Sequence, residues 1–194
     1  MLALLDGGVG HCFKERHGHS DFLGGARACV EAPEQIGTIH RAFYESEQKH
    51  WAGLCYATTN SFAATPNHVR GSSLDPLQVA SAAARIAAAE SRPSPQRKVA
   101  GCLPPLSRKC YAPSSPPFDF YREVSEVLLE IGADLLLAET LCSTREAVAA
   151  IAAANDATTK KKKNIWVCFT VADDCSNRLR NGEPLVDAIR AIER

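Results

Sequence analysis

Apolar residues along this chain alternate between short unbroken runs and longer stretches in which they recur every three or four positions. Leu2 to Leu5 is an unbroken run closed by Asp6-Gly7-Gly8, the pattern of a strand buried on both faces and ended by a turn. Pro33 suits the first turn of a helix, and Ile36, Ile39 and Phe43 follow at helical spacing, which predicts a helix over 33–46. Leu54 to Thr59 reads as a second strand, after which Asp75-Pro76 opens an alanine-rich helix with Val79, Ala82, Ala83 and Ile86 on one face. Lys98 to Leu103, stopped by Pro104-Pro105, is a third strand, followed by a helix marked by Val124, Val127, Leu128 and Ile131 with Gly132 as its C-cap. Asp134 to Ala138 is a fourth strand ending at Glu139, and Ser143-Thr144-Arg145-Glu146 is a capping box for a helix through Ile151. Beyond a loop holding Lys160 to Lys163, Ile165 to Thr170 is a fifth strand, and Pro184 opens a helix with Leu185, Ile189 and Ile192 inward.

Five strand–helix repeats in alternation predict the α/β class, with parallel strands covered by their crossover helices in a single domain over 1–194. On pattern and length alone an open doubly wound sheet is slightly favoured, because an eightfold barrel typically takes about 250 residues.

Composition narrows the function classes. The 194 residues are 45% hydrophobic and 23% charged, with 22 Lys and Arg against 22 Asp and Glu, so disorder is excluded. Zero formal net charge gives no electrostatic footprint for nucleic acid or an anionic membrane, and no apolar run approaches the ~18 residues of a membrane span. Eight cysteines without a CxxC pair, and an N-terminus lacking a basic region, fit reduced thiols in the cytoplasm.

In parallel α/β folds the working groups sit at the carboxyl ends of the strands. That rule singles out Asp6, Thr59, Asn60, Cys102, Glu139 and Thr170. Asp6 and Glu139 each end an apolar run, where an ionised carboxylate is costly unless a donor or cation such as an amino-acid ammonium meets it. The plainer alternative is that Asp6 caps its turn and Glu139 pairs with Arg145. Gly7-Gly8-Val9-Gly10 can present backbone N–H groups to a carboxylate or phosphate, although it lacks the full pattern of a nucleotide loop. His11, His17 and His19 are expected in one loop with no partner at metal-ligand spacing, while Cys102, Cys110, Cys168 and Cys175 read as core filling.

The strand ends resemble, as a set, those of homocysteine S-methyltransferases. The segments are Leu4-Leu5-Asp6-Gly7-Gly8-Val9-Gly10, Thr58-Thr59-Asn60-Ser61-Phe62-Ala63-Ala64-Thr65-Pro66 and Val99-Ala100-Gly101-Cys102-Leu103-Pro104-Pro105-Leu106. Gly132 to Thr140, Trp166 to Thr170 and Gly182-Glu183-Pro184-Leu185 continue it in order over essentially the whole chain. Departures are His11 where the family usually has Thr, Cys102 and Cys168 where serines are common, and Cys110-Tyr111-Ala112-Pro113 for Ser-Tyr-Arg-Pro.

The resemblance implies a partial (β/α)8 TIM barrel, with about five βα units present and the domain incomplete at its C-terminus. It implies methyl transfer from a sulfonium donor such as S-methylmethionine to homocysteine, giving methionine; the alternative is an inactive remnant that acts as a binding or interaction module. Asp6 and Glu139 would hold the homocysteine ammonium, Gly7 and Gly8 would meet its carboxylate, and Thr59 and Asn60 would line the same pocket. Zinc is expected for the complete family enzyme, on cysteines that would lie beyond Arg194, so no metal ligand or catalytic residue is expected within this chain. Open barrel edges at the first and fifth strands imply self-association.

Overall fold

A computed structural model of the chain describes residues 3–18, 21–106, 118–158 and 163–193. Five parallel strands, β1 (Ala3–Leu5), β2 (Leu54–Thr58), β3 (Arg97–Leu103), β4 (Leu135–Leu141) and β5 (Asn164–Phe169), form one sheet in the order β1-β2-β3-β4-β5. The helices among the described residues are α1 (Val9–His17), α2 (Gly24–Glu31), α3 (Pro33–His50), α4 (Pro76–Ser91), α5 (Phe118–Ile131), α6 (Thr144–Ala157) and α7 (Leu185–Ile192).

Strictly sequential order corrects the open-sheet preference that length had given. A doubly wound sheet reverses its strand order partway, whereas right-handed crossovers that always step to the next strand put every helix on the same face and curl the sheet toward a barrel. Residue alternation separates the two faces. Cys55, Ala57, Val99, Leu103, Leu136 and Ala138 join the helix-facing core with Val124, Leu128, Ala147 and Ala150. Ala100, Leu135 and Leu137, with Tyr56 and Trp166 against them, fill the inner face. The Tyr56 and Trp166 rings lie 5.4 Å apart and bridge β2 to β5 across the concave side.

Several local expectations hold in detail. Asp75 accepts the Gln78 amide at 2.7 Å to cap α4, and Pro76 occupies its first turn. Gly132, at φ +120°, ends α5, and its amide and that of Ala133 both bond to the Leu128 carbonyl. Only half of the predicted capping box forms at α6. Ser143 Oγ accepts from Glu146 N, but the Glu146 carboxylate turns away and accepts from Leu106 N at 2.8 Å and Tyr121 Oη at 3.1 Å. Two buried donors, one just after β3 and one on α5, take up that carboxylate in place of the Ser143 amide of its own helix.

Other expectations are corrected. Leu4 and Leu5 are 38% and 39% exposed, so β1 is an edge strand and not one buried on both faces. His11 and His17 lie on α1 rather than in a loop, and α1 and α2 were not anticipated; His19 lies outside the described residues. Cys102 is buried as expected, whereas Cys168 and Cys175 are exposed; Cys110 lies outside the described residues. On α7, Ala188 is the buried position and Ile189 is exposed. Lys160 to Lys162 also lie outside the described residues.

Candidate functional site

At the carboxyl ends of β1, β2, β4 and β5 the sheet opens into a cleft of about 480 Å³. Its lining includes all six predicted site residues, Asp6, Gly7, Gly8, Thr59, Asn60 and Glu139.

Asp6 follows β1 directly, and it is not a turn cap. Its Oδ1 accepts the Thr58 amide at 2.9 Å, which ties the end of β1 to β2, and its Oδ2 lies 3.3 Å from His40 Nδ1 on α3. The side chain is 2% exposed, so the carboxylate meets the cleft by its edge. Two donors leave acceptor capacity on a carboxylate that has about four lone-pair sites. Sequence reasoning missed His40. It sits four residues after Ile36 and four before Tyr44, on a stripe where all three are at most 1% exposed, and a titratable ring on so apolar a stripe was the available signal.

Gly7 and Gly8 lead into α1. Gly8 is its N-cap and makes no side-chain cap bond, so the first-turn amides and the positive end of the helix dipole border the cleft with no side chain capping them. The turn has no room for a side chain at Gly7, where a Cβ would lie 2.8 Å from the Phe43 ring.

Thr59 and Asn60 serve as walls. Thr59 Oγ1 accepts from Cys102 N at 2.9 Å and shares a 2.9 Å bond with Ser61 Oγ, locking the β2 end to the β3 end. Asn60 Nδ2 donates to Gly25 O at 3.0 Å and so docks α2. A Cβ on Gly25 would stand 3.1 Å from that nitrogen, so a larger residue in this first turn of α2 would press on the contact.

Glu139 was expected to end β4, yet the strand runs on to Leu141 through an irregularity between Ala138 and Leu141. Thr140 takes φ +56°, a conformation that is strained for a β-branched residue, and its hydroxyl donates to the Glu139 carbonyl at 2.8 Å. Glu139 faces the cleft beside Cys168 and makes no ion pair with Arg145 among the described residues. Burial pushes its carboxyl above the usual range, a bond from the Cys102 thiol opposes the shift, and the Asp6 charge adds to it. The two carboxylates therefore feel one another across the cleft. Burial and the neighbouring Glu139 charge push the Cys102 thiol up as well, and at the exposed Cys168 partial desolvation on the cleft wall and the same charge act in the same direction, which disfavours thiolate at both.

Phe22, Phe62, His11 and Lys14 complete the rim, with Lys14 Nζ 6.0 Å from the Phe22 ring centre. Among the described residues, no three or more His, Cys, Asp or Glu side chains gather so that they could hold a metal ion, and no helix is long and apolar enough to cross a membrane.

A cleft at the carboxyl ends of parallel strands, lined by the loops that follow them, lies where (β/α)8-barrel proteins carry their active sites. The chain belongs to the homocysteine S-methyltransferase family, whose model matches residues 3–194. It is 31% identical to the homocysteine S-methyltransferase of Escherichia coli strain K12, over 98% of this chain and 65% of that protein, so it spans just under two thirds of that relative's length. The crystal structure of the Escherichia coli homocysteine methyltransferase MmuM in its metallated form superposes with a TM-score of 0.77 at 26% identity, covering 100% of this chain and 70% of that one. The oxidised form of MmuM gives 0.76 at 26% identity over 99% and 69%, and the apo form 0.66 at 27% over 100% and 67%. The fold is thus part of a TIM barrel, represented by five βα units.

Proposed function

We propose that the cleft binds the amino-acid end of homocysteine and that the chain serves methyl transfer from a sulfonium donor to its sulfur. Asp6 and Glu139 hold the ammonium, the Gly7–Gly8 turn meets the carboxylate at the α1 N-terminus, and Thr59 and Asn60 fix the walls. These are positioning roles, which lower the barrier by holding the sulfur in line with the methyl group. In the transfer a new S–CH3 bond forms as the donor's C–S bond breaks, leaving a neutral thioether and methionine, and the homocysteine thiol proton passes to solvent. S-methylmethionine is the donor we favour, because the Phe22 and Phe62 faces on the rim suit an onium cation.

The observation that carries this reading is the pair of carboxylates on one cleft, with burial and the Asp6 charge raising the Glu139 carboxyl, an arrangement that a bound ammonium would relieve. Zinc, when bound, would supply a thiolate at the homocysteine sulfur. The donors among the described residues do not fit that ion, since the Cys102 thiol is bonded to Glu139 and no ligand group gathers around Cys168. Seven described cysteines are free, which favours a reducing, cytoplasmic setting.

Calorimetric titration of the chain with homocysteine tests the reading. Asp6→Asn and Glu139→Gln should each weaken binding by about 1.5 to 3 kcal/mol, the loss of a charge-assisted hydrogen bond. Unchanged affinity in both variants would overturn it. Binding without turnover when S-methylmethionine is added would favour the second reading, an amino-acid-binding module.

A further inference from the structure

The Asp6 carboxylate has one side-chain partner among the described residues, and that partner is oddly placed. His40 is 0% exposed on α3, its Nδ1 is 3.3 Å from Asp6 Oδ2, and its Nε2 makes no hydrogen bond among the described residues. A buried ring nitrogen left unpaired is unfavourable, and a leucine on the same stripe between Ile36 and Tyr44 would avoid that cost. Among the described residues, the imidazole's polar contact is therefore with the group that reaches the cleft. From this we infer that His40 is a positioning residue, which donates from Nδ1 to Asp6 Oδ2 and holds the carboxylate edge toward the ligand ammonium.

The geometry shows how this works. Thr58 N–H fixes Oδ1 from the β2 side and His40 fixes Oδ2 from the helix side, so the carboxylate plane is set by two donors on different elements. Without the second donor the side chain is free to turn about its Cα–Cβ and Cβ–Cγ bonds while still satisfying Thr58, and its remaining lone pairs leave the line of the ammonium. The ring itself is fully buried, with buried Ile36 and Tyr44 one turn away on either side, and Tyr44 is anchored in turn by donating to the Lys98 carbonyl at 2.6 Å. A group held this way is supported by a packed helix and not by a loop, which favours precise placement of what it touches.

This inference rests on the proposed ammonium role of Asp6, and its test separates the two. Homocysteine and 4-mercaptobutanoate, which lacks the amino group, are titrated calorimetrically into the full chain and its His40 variants. His40→Leu should weaken homocysteine about tenfold or more while leaving 4-mercaptobutanoate within about twofold. Asn places its amide nitrogen near the Nδ1 position and Gln places it near Nε2, so His40→Asn should recover homocysteine binding to within about threefold of wild type and His40→Gln should not. The polar Asn and Gln pair carries the test if the leucine variant fails to unfold cooperatively. Equal loss for both ligands, or equal behaviour of Asn and Gln, would overturn the positioning role. If Asp6→Asn leaves homocysteine binding unchanged, or wild type does not bind it, the ammonium reading of the cleft falls first and the inference with it.

Discussion

The two carboxylates of the cleft are held in opposite ways. At the end of β1, Asp6 is bonded on both oxygens, by the Thr58 amide and by His40, and the chain around it depends on those bonds. At the end of β4, Glu139 leads into strained backbone, with Thr140 at φ +56°, and is bonded by the Cys102 thiol, while burial raises its carboxyl. One acid is thus part of the scaffold as well as of the site, and the other is carried by the scaffold at a cost. Stability and ligand response should divide between them accordingly.

The largest expected effect is on folding. Asp6→Ala leaves the Thr58 amide and the His40 ring without an acceptor and should destabilise the chain by about 2 to 4 kcal/mol, whereas Glu139→Ala should be within about 1 kcal/mol of neutral. Thermal unfolding of the two variants side by side checks this, and equal losses would erase the distinction.

Next comes proton linkage at Glu139. Its folded carboxyl titrates above the ordinary range of about 4.3, so the protonated form persists to higher pH in the folded chain than in the unfolded one. The sign for stability follows: this group favours the fold at low pH, and that contribution is lost as pH rises through the raised value. Ammonium binding requires the ionised form, so homocysteine affinity should rise with pH over the same interval, by up to about tenfold per pH unit, with a proton released on binding. Titrations in buffers of different ionisation enthalpy would detect that proton, and its persistence in Glu139→Gln would assign it elsewhere.

A smaller effect is expected at the strained residue. Thr140→Gly should stabilise the fold by about 0.5 to 1 kcal/mol by relieving the positive φ, yet weaken homocysteine about threefold because Glu139 is aimed less tightly. Tighter binding in that variant would show that the strain does not serve the site.

The weakest is association through the flanks. Among the described residues β1 pairs only with β2 and β5 only with β4, while Leu4, Leu5, Val186 and Ile189 are exposed. Reversible self-association of the chain is therefore expected on sedimentation at about 100 µM, and a single monomeric species at every concentration would count against it.

Reading the sequence succeeded where chemistry and period coincide. That Asp6 and Glu139 would line one cleft was legible because a carboxylate at the end of an apolar run is unusual, and parallel α/β folds bring such ends together. Asp75 and Gly132 were legible because capping is local. It failed where the tertiary fold decides. Among the buried residues of α1 only Val9 and Phe13 face the core, amid His, Lys and Glu, and α2 begins with Gly24-Gly25, so neither stretch carries an apolar stripe long enough to read. Gly25 is where α2 meets Asn60, a contact that the spacing along the chain cannot announce. His40 was hidden for the converse reason, because a histidine on an apolar stripe looks like core until its partner 34 residues away is placed beside it.

The most direct test of the shared role of the two acids is a crystal structure of the chain with homocysteine. The account predicts the ligand nitrogen within about 3.2 Å of carboxyl oxygens of both Asp6 and Glu139, with the ligand carboxylate against the Gly7–Gly8 turn. A homocysteine bound with its nitrogen turned to solvent, or seated away from this cleft, would contradict it.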